Sequence, residues 1–417
     1  MSPGSAMHLS RIPFFLAPLA LTPASSMSAQ QVADFHAIPM PAGATSATAK
    51  AISPDGSYVV GQLTFSGDQR AYRWSATTGV TTVLPHAAGG IDFSEAGGVS
   101  IPQTGGTTVG VRRPFLPCAW NSAGAAFDQP LPGGVTGGRI EDLSSANFLS
   151  VGYGLVGSIP YPLQWALSFP SGTSVTYLDT LPGVAHAISA FGNLAVGERR
   201  IGGVAHAVRW GLGTGSASLL DDATSPFESS VALRTSTDGS ISVGYGIDGS
   251  FPVAAQWRDG QTSALTDPTG ALLPLVASAV SGLGQRIVGT ALKSSSTAAF
   301  VWDADDGVRE LQQVLAQDHG VTLPGWHLLF AEDISGDGRC IAGWGVNPAG
   351  VKQAFRVVLP GPCPADLSGD GYVSMADVGP FSVAYNSGGA QADLNGDGLV
   401  NLVDIAIFSA ALQGDCD

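Results

Sequence analysis

Two stretches near the C-terminus set oxygen-bearing side chains at one repeated spacing. In DLSGDGYVSMAD, starting at Asp366, these are Asp366, Ser368, Asp370, Ser374 and Asp377, with the main-chain carbonyl of Tyr372 between them. In DLNGDGLVNLVD, starting at Asp393, they are Asp393, Asn395, Asp397, Asn401 and Asp404, with the carbonyl of Leu399. Numbered within a twelve-residue loop, both sets fall at positions 1, 3, 5, 7, 9 and 12, and Gly371 and Gly398 stand at position 6, where such a loop turns sharply. A hard cation takes about six to eight oxygens, so the spacing predicts two Ca2+ sites, the first weakened by the small Ser368 hydroxyl.

The chain carries 18 Lys and Arg against 33 Asp and Glu, a formal charge of −15. From Cys363 to Asp417 there are eight Asp and no Lys, Arg or Glu. The plainer reading of such a tail is a solvated acidic end, but two matching loops 27 residues apart favour ligation. Net acidity argues against nucleic acid, which is bound by neutralising phosphates, and against anionic membrane surfaces.

Flanking elements must hold such loops. Cys363-Pro364 directly precedes the first loop and leaves no room for an entering helix, so only exiting helices are expected. IAIFSAALQG from Ile405 reads as one of them. Pro380 is compatible with the other if Asp377 is its N-cap, because the first turn needs no amide donor.

Two loop-helix units without entering helices resemble a dockerin, and the flanking Cys363 and Cys416 resemble the GC-type dockerins of planctomycete-like secreted proteins. The resemblance covers residues 361–417. It implies a small α-helical module that binds a cohesin-like partner or anchors the protein to a cell envelope. Met375-Ala376 and Leu402-Val403 stand where many cellulosomal dockerins carry Ser-Thr pairs, which counts against a cellulosomal cohesin. A Cys363–Cys416 disulfide would staple a module too small for a large core; two free thiols are the alternative.

The preceding region is a repeat. Tryptophans fall at Trp74, Trp120, Trp165, Trp210, Trp257 and Trp302, separated by 46, 45, 45, 47 and 45 residues. AISPDGSYVVG, AYRW and VTTVLP from Ala51 onward return as AISAFGNLAVG, AVRW and ASLL from Ala187, and as AVSGLGQRIVG, AAFVW and VREL from Ala279. Each copy holds four short candidate strands with turn residues such as Asp55-Gly56 linking the first two, the size of one propeller blade. In AYRW, alternation sends Tyr72 and Trp74 to one face, where the indole can pack between blades. A seventh copy, AEDISGDGRCIAG from Ala331 and QAFRVVLP from Gln353, has Arg356 where Trp is expected, after a helical-looking insertion at Glu310.

The expected fold is therefore mainly β, a seven-bladed propeller-like repeat domain over residues 30–360 followed by the helical tail. DFHAIPMPAG from Asp34 reads like a fourth strand and is expected to complete the last blade. The recurring phrase resembles the HAF extracellular repeat family over roughly residues 32–360, a likeness that implies no shared activity. Residues 1–29, with IPFFLAPLALTPA and then small residues to Ala29, read as a secretory signal peptide, which predicts a secreted or surface-attached bacterial protein.

Catalytic constellations are sparse. Glu occurs in the repeats only at Glu95, Glu141, Glu198, Glu228, Glu310 and Glu332, and many Asp residues stand in turn phrases. His186 and His206 lie inside repeat phrases, AHAIS and AHAVRW, and read as strand residues without a third zinc ligand. Cys118 and Cys340 lie on non-adjacent copies and read as buried small hydrophobes. No nucleophile elbow or phosphate-binding glycine loop appears. The expected function is a non-catalytic surface or matrix protein, its propeller a binding scaffold for ligands such as a glycan and its tail a Ca2+-dependent attachment to a cohesin-like or envelope partner. The alternative is a carbohydrate-active enzyme delivered by the tail, with a paired-carboxylate glycosidase site.

Overall fold

The computed structural model describes residues 33–85, 93–100, 106–112, 115–144, 146–169, 172–222, 225–249, 251–360, 365, 367, 373 and 375–413. The segment read as a signal peptide lies outside them, as do Cys363 and Cys416. The protein is mainly β and contains seven four-stranded antiparallel sheets arranged as the blades of a propeller. In six blades the strand order follows the chain from the innermost strand outward. The seventh takes His327–Ile334, Cys340–Val346 and Lys352–Val358 from the end of the repeat and its outermost strand, Asp34–Ala37, from the beginning. Asp34 lies opposite Val358 and Ala37 opposite Phe355, so the N-terminal segment closes the ring as its likeness to a fourth strand predicts. Closure pairs backbone groups that would otherwise form an open edge.

The Val-Gly phrase has a geometric cause. Every innermost strand carries a register shift at its centre: Ala49/Ala51, Ala96/Gly98, Ile140/Asp142, Ala185/Ala187, Ala232/Arg234, Ala277/Ala279 and Ala331/Asp333. The skipped residue buckles the strand toward its neighbour, and a Cβ on the facing Gly61 would lie 2.0 Å from the Thr48 carbonyl. Gly152 meets the Arg139 carbonyl at the same 2.0 Å, and Gly343 meets that of Phe330 at 2.1 Å. The glycine in each copy is thus required by the bulge opposite it.

The tryptophans bind one blade to the next. Trp120, Trp165, Trp210 and Trp257 are buried. Their indole N–H groups donate to the preceding blade, Trp120 to the Pro85 carbonyl at 2.6 Å, Trp165 to that of Pro130 at 2.8 Å, Trp210 to Asp179 at 2.9 Å and Trp257 to Asp221 at 3.0 Å. At the closing seam this fails. Trp74 Nε1 is buried without a hydrogen-bond partner, and the Pro39 carbonyl, which stands where Pro85 does in the next blade, accepts the Thr81 hydroxyl at 2.6 Å.

Strand pairing corrects the reading of the seventh copy. Ala342 faces Arg356 as Val60 faces Arg73, so Arg356 matches Arg73, and Val357 occupies the tryptophan position. Arg356 instead donates to the Gly56 carbonyl of blade 1 at 3.0 Å. The volume missing beside Val357 is filled by helix α1 (Leu311–Gln317), whose Leu311, Val314 and Leu315 join the same buried cluster. Cys118 and Cys340 are buried free thiols, as expected, and burial pushes them up to about 12 and about 11, too high for nucleophilic use.

The tail has its own core. Helices α2 (Met375–Ser387) and α3 (Leu402–Ala411) pack through Phe381 and Phe408, stacked at 4.1 Å, with Ala384, Leu394 and Ala411 around them. Helix α2 begins before Asp377, which lies within its first turn, so Asp377 is not the N-cap and Pro380 sits inside the helix. The aspartate is fully buried there, and the packing of Phe381 and Ala384 in the tail's core holds the helix through the proline.

Candidate functional site

Of the first calcium-type loop, Asp366, Ser368, Asp370, Tyr372 and Ser374 lie outside the described residues; Asp377 is described and buried. The second loop is described throughout. Asp393 accepts the amides of Asp397 at 3.0 Å and Gly398 at 2.8 Å. Asn395 accepts the Asp397 amide at 3.2 Å, and Asp397 accepts that of Leu399 at 2.8 Å. Asn401 caps α3 by accepting from the Val403 amide at 2.8 Å, while Asp404 accepts the Asn401 amide at 2.8 Å, a capping box that ties the loop's end to the helix. Its other oxygen accepts the Leu394 amide at 2.9 Å, drawing the two ends of the loop together.

Asp393, Asp397 and Asp404 are all buried, in a tail that contains no basic side chain. Burial, then the neighbouring Asp397, pushes Asp393 up to about 7. Burial also raises Asp397 and Asp404. Three carboxylates removed from water without a counter-charge need a cation or protons. Among the described residues no group of three or more His, Cys, Asp or Glu forms a metal cluster. The loop differs from such a cluster in kind, since half its predicted donors are Asn side chains and a carbonyl. The residues fit a calcium ion in type and order: Asp393, Asn395, Asp397, Asn401 and Asp404 with the Leu399 carbonyl would hold it, and its charge would offset the buried carboxylates.

This loop also lies against the ring. A Cβ on Gly336 would come within 2.5 Å of the Gly396 carbonyl, and one on Gly398 within 2.7 Å of the Ala190 carbonyl. Gly336 and Ala190 belong to the rim where inner strands end. Backbone bonds run around that rim from blade to blade, Thr237 to Gly282 at 3.0 Å, Gly282 to Gly336 at 2.7 Å and Gly336 to Pro54 at 2.7 Å. Gly396 closes this end of the central channel over a small cavity lined by Asp142, Arg234 and Asp333. Only glycines approach backbone this closely, so the loop's turn residues also make its seat.

Asp142 and Asp333 join neighbouring blades, accepting the Ile188 amide at 3.0 Å and the Ile52 amide at 2.9 Å. Burial raises both, Asp333 to about 6, against the lowering effect of Arg234. Burial also works against the charge on Arg234, but Asp333, Asp142, Glu141 and Glu332 more than restore it.

Toward the other face, Arg234 forms the floor of a cavity of about 500 Å³. Here the seven skipped residues converge: Lys50, Gly97, Glu141, His186, Leu233, Ser278 and Glu332 all line it. Arg139 pairs with Glu95 at 2.8 Å and Glu141 at 2.9 Å, and Lys50 lies 3.9 Å from Glu332. Burial holds His186 below its ordinary range despite Glu141 and Glu198, so it is neutral at pH 7. His206 is elsewhere, 4.0 Å from Asp221, and the two histidines form no pair. Read as a strand residue, His186 conceals this role; the signal in the sequence is the changing second residue of phrases such as AKAIS, AHAIS and AEDIS.

No family model matches the chain, and no curated protein matches it either. Solved structures do. A puromycin-hydrolyzing peptidase of Mycobacterium tuberculosis is 14% identical over 77% of this chain and 53% of its own, with a TM-score of 0.51. An oligogalacturonate lyase of Vibrio parahaemolyticus is 11% identical over 79% and 98%, with a TM-score of 0.48. TolB of Acinetobacter baumannii is 13% identical over 73% and 80%, with a TM-score of 0.38. The likeness to the peptidase is one of fold alone.

Proposed function

We propose that this is a secreted, non-catalytic surface or matrix protein in which the propeller is a binding scaffold and the dockerin-like tail gives Ca2+-dependent attachment to a cohesin-like or envelope partner. The observation that carries the reading is the outer surface of the tail. Met375 is 79% exposed and Leu402 76% exposed, with Val403 beside it, at loop positions 10 and 11. Large apolar side chains at equivalent places on two helix starts form a repeated surface suited to a partner, while the loop glycines face the ring.

The test is a pull-down from the native envelope fraction with the intact chain, a chain ending at Pro360 and the double variant Met375→Glu, Leu402→Glu, each with Ca2+ or chelator. The intact chain with Ca2+ should recover a partner that the other conditions lose. Equal recovery by all forms would end the docking reading.

A further inference from the structure

We propose that the cavity ringed by the seven skipped residues binds the end of a neutral saccharide chain. This rests on the scaffold reading above and gives that scaffold its ligand and its site.

The first argument comes from the repeats. Around each bulge the flanking residues are mostly small, as in Ala49, Ala51, Ala185, Ala187, Ala277 and Ala279, and the facing glycine is held by the strand geometry. The skipped residue runs through Lys, Gly, Glu, His, Leu, Ser and Glu, whereas the residue after it is Ala or Gly in four blades and belongs to the Asp142, Arg234 and Asp333 set in the other three. A repeat that needed only to pack would leave this position apolar or uniform. The bulge re-aims one side chain per blade into a shared space, and the chemistry there differs blade by blade, as a ligand without sevenfold symmetry requires.

The second argument is the lining. One sector is charged but internally paired, Lys50 with Glu332 and Arg139 with Glu95 and Glu141. With Arg234 and its partners Asp142 and Asp333 counted, five carboxylates stand against three cations, which disfavours phosphates, uronates and other anions. Paired acids and bases present acceptors and donors side by side, the complement of adjacent hydroxyls, which donate and accept together. The opposite sector is apolar, with Leu233, Pro252, Leu275, Val276 and Phe330. Phe330 is held in place by stacking on Trp344 at 4.1 Å. A pyranose ring has the same two characters, an edge of hydroxyls and a C–H face.

The third argument is depth. Arg234, buried between Asp142 and Asp333, closes the cavity below, and Gly396 closes the channel beyond it. The site is a pocket about 500 Å³ in volume, within the range of small-ligand sites, and it takes a chain end rather than a threaded chain.

The experiment is isothermal titration of the full chain with xylo-, manno- and cello-oligosaccharides, alongside oligogalacturonate and chitosan oligosaccharides. At least one neutral series should bind. Leu233→Trp, which fills the apolar sector, and Glu141→Gln, which removes a carboxylate beside Arg139, should each weaken binding at least tenfold. Val204→Ala on an outer hairpin should not. Thermal melts identify any variant that fails to fold, and the second variant then carries the test. No binding of any neutral series, equal binding by folded variants, or preference for the anionic or aminated chains would overturn the proposal. Because the titration reads saccharide binding in the ring and the pull-down reads partner capture by the tail, the failure of one is distinct from the failure of the other.

Discussion

The ring and the tail both bury aspartates, and they use them in opposite ways. In the ring, Asp142 and Asp333 accept amides from adjacent blades and share Arg234, so their charge is offset by protein. In the tail, Asp393, Asp397 and Asp404 are gathered in a segment with no Lys or Arg, and their amide bonds stay within a few residues of the loop. A buried carboxylate with a guanidinium and a long-range amide is a structural joint; several together with only local amides lack a counter-charge from the protein, which is the ground for proposing Ca2+ there. The ring should therefore be indifferent to Ca2+ and the tail dependent on it.

The largest expected effect lies in the ring. Trp165→Ala removes an inter-blade wedge and its hydrogen bond, at a cost of about 4 kcal/mol. Calorimetry should show a lowered melting temperature with Ca2+ affinity unchanged; a matching loss of Ca2+ binding would show that ring and tail fold as one unit. Next, Asp393→Ala should reduce two bound Ca2+ to one by titration, weakening the second site at least about 100-fold, or about 2.7 kcal/mol. The ring's melting transition should not move.

A smaller effect separates the carboxylates by pH. Asp333 has its folded value raised from 3.8 to about 6 by burial, so the folded ring takes up its proton before the unfolded chain does. Its contribution to stability is full below the unfolded value and is lost as pH rises through about 6. Asp333→Asn should flatten the change in melting temperature across that window, and an unchanged slope would assign it to other groups. Smallest of all, Gly336→Ala places a Cβ against Gly396 and should unseat the loop, read as faster proteolysis between ring and tail with little change in the ring's melting temperature.

Much of the ring was legible because a repeat displays its rule several times. The tryptophan period, the turn phrases and the first strand's likeness to a fourth strand led to seven blades and their closure. What escaped was register. In the sequence Arg356 stands where the tryptophan is expected, and only strand pairing shows that Val357 holds that place while α1 supplies the missing volume. Asp377 escaped likewise, since capping rules are local and its burial in α2 is decided by the tail's core. The six glutamates were too few in sequence to suggest a site, yet Glu141 and Glu332 come from blades 3 and 7 to one cavity.

The sequence by itself determined the paired oxygen loops, their glycines and the count of blades, because ligand spacing and turn chemistry are properties of neighbouring residues. Tertiary structure alone decided which residues meet. Ring closure brings one bulged residue from each of seven blades to a common axis, and close backbone contact seats Gly396 and Gly398 on the opposite rim. Contacts of that kind depend on the path of the whole chain, which no local spacing encodes.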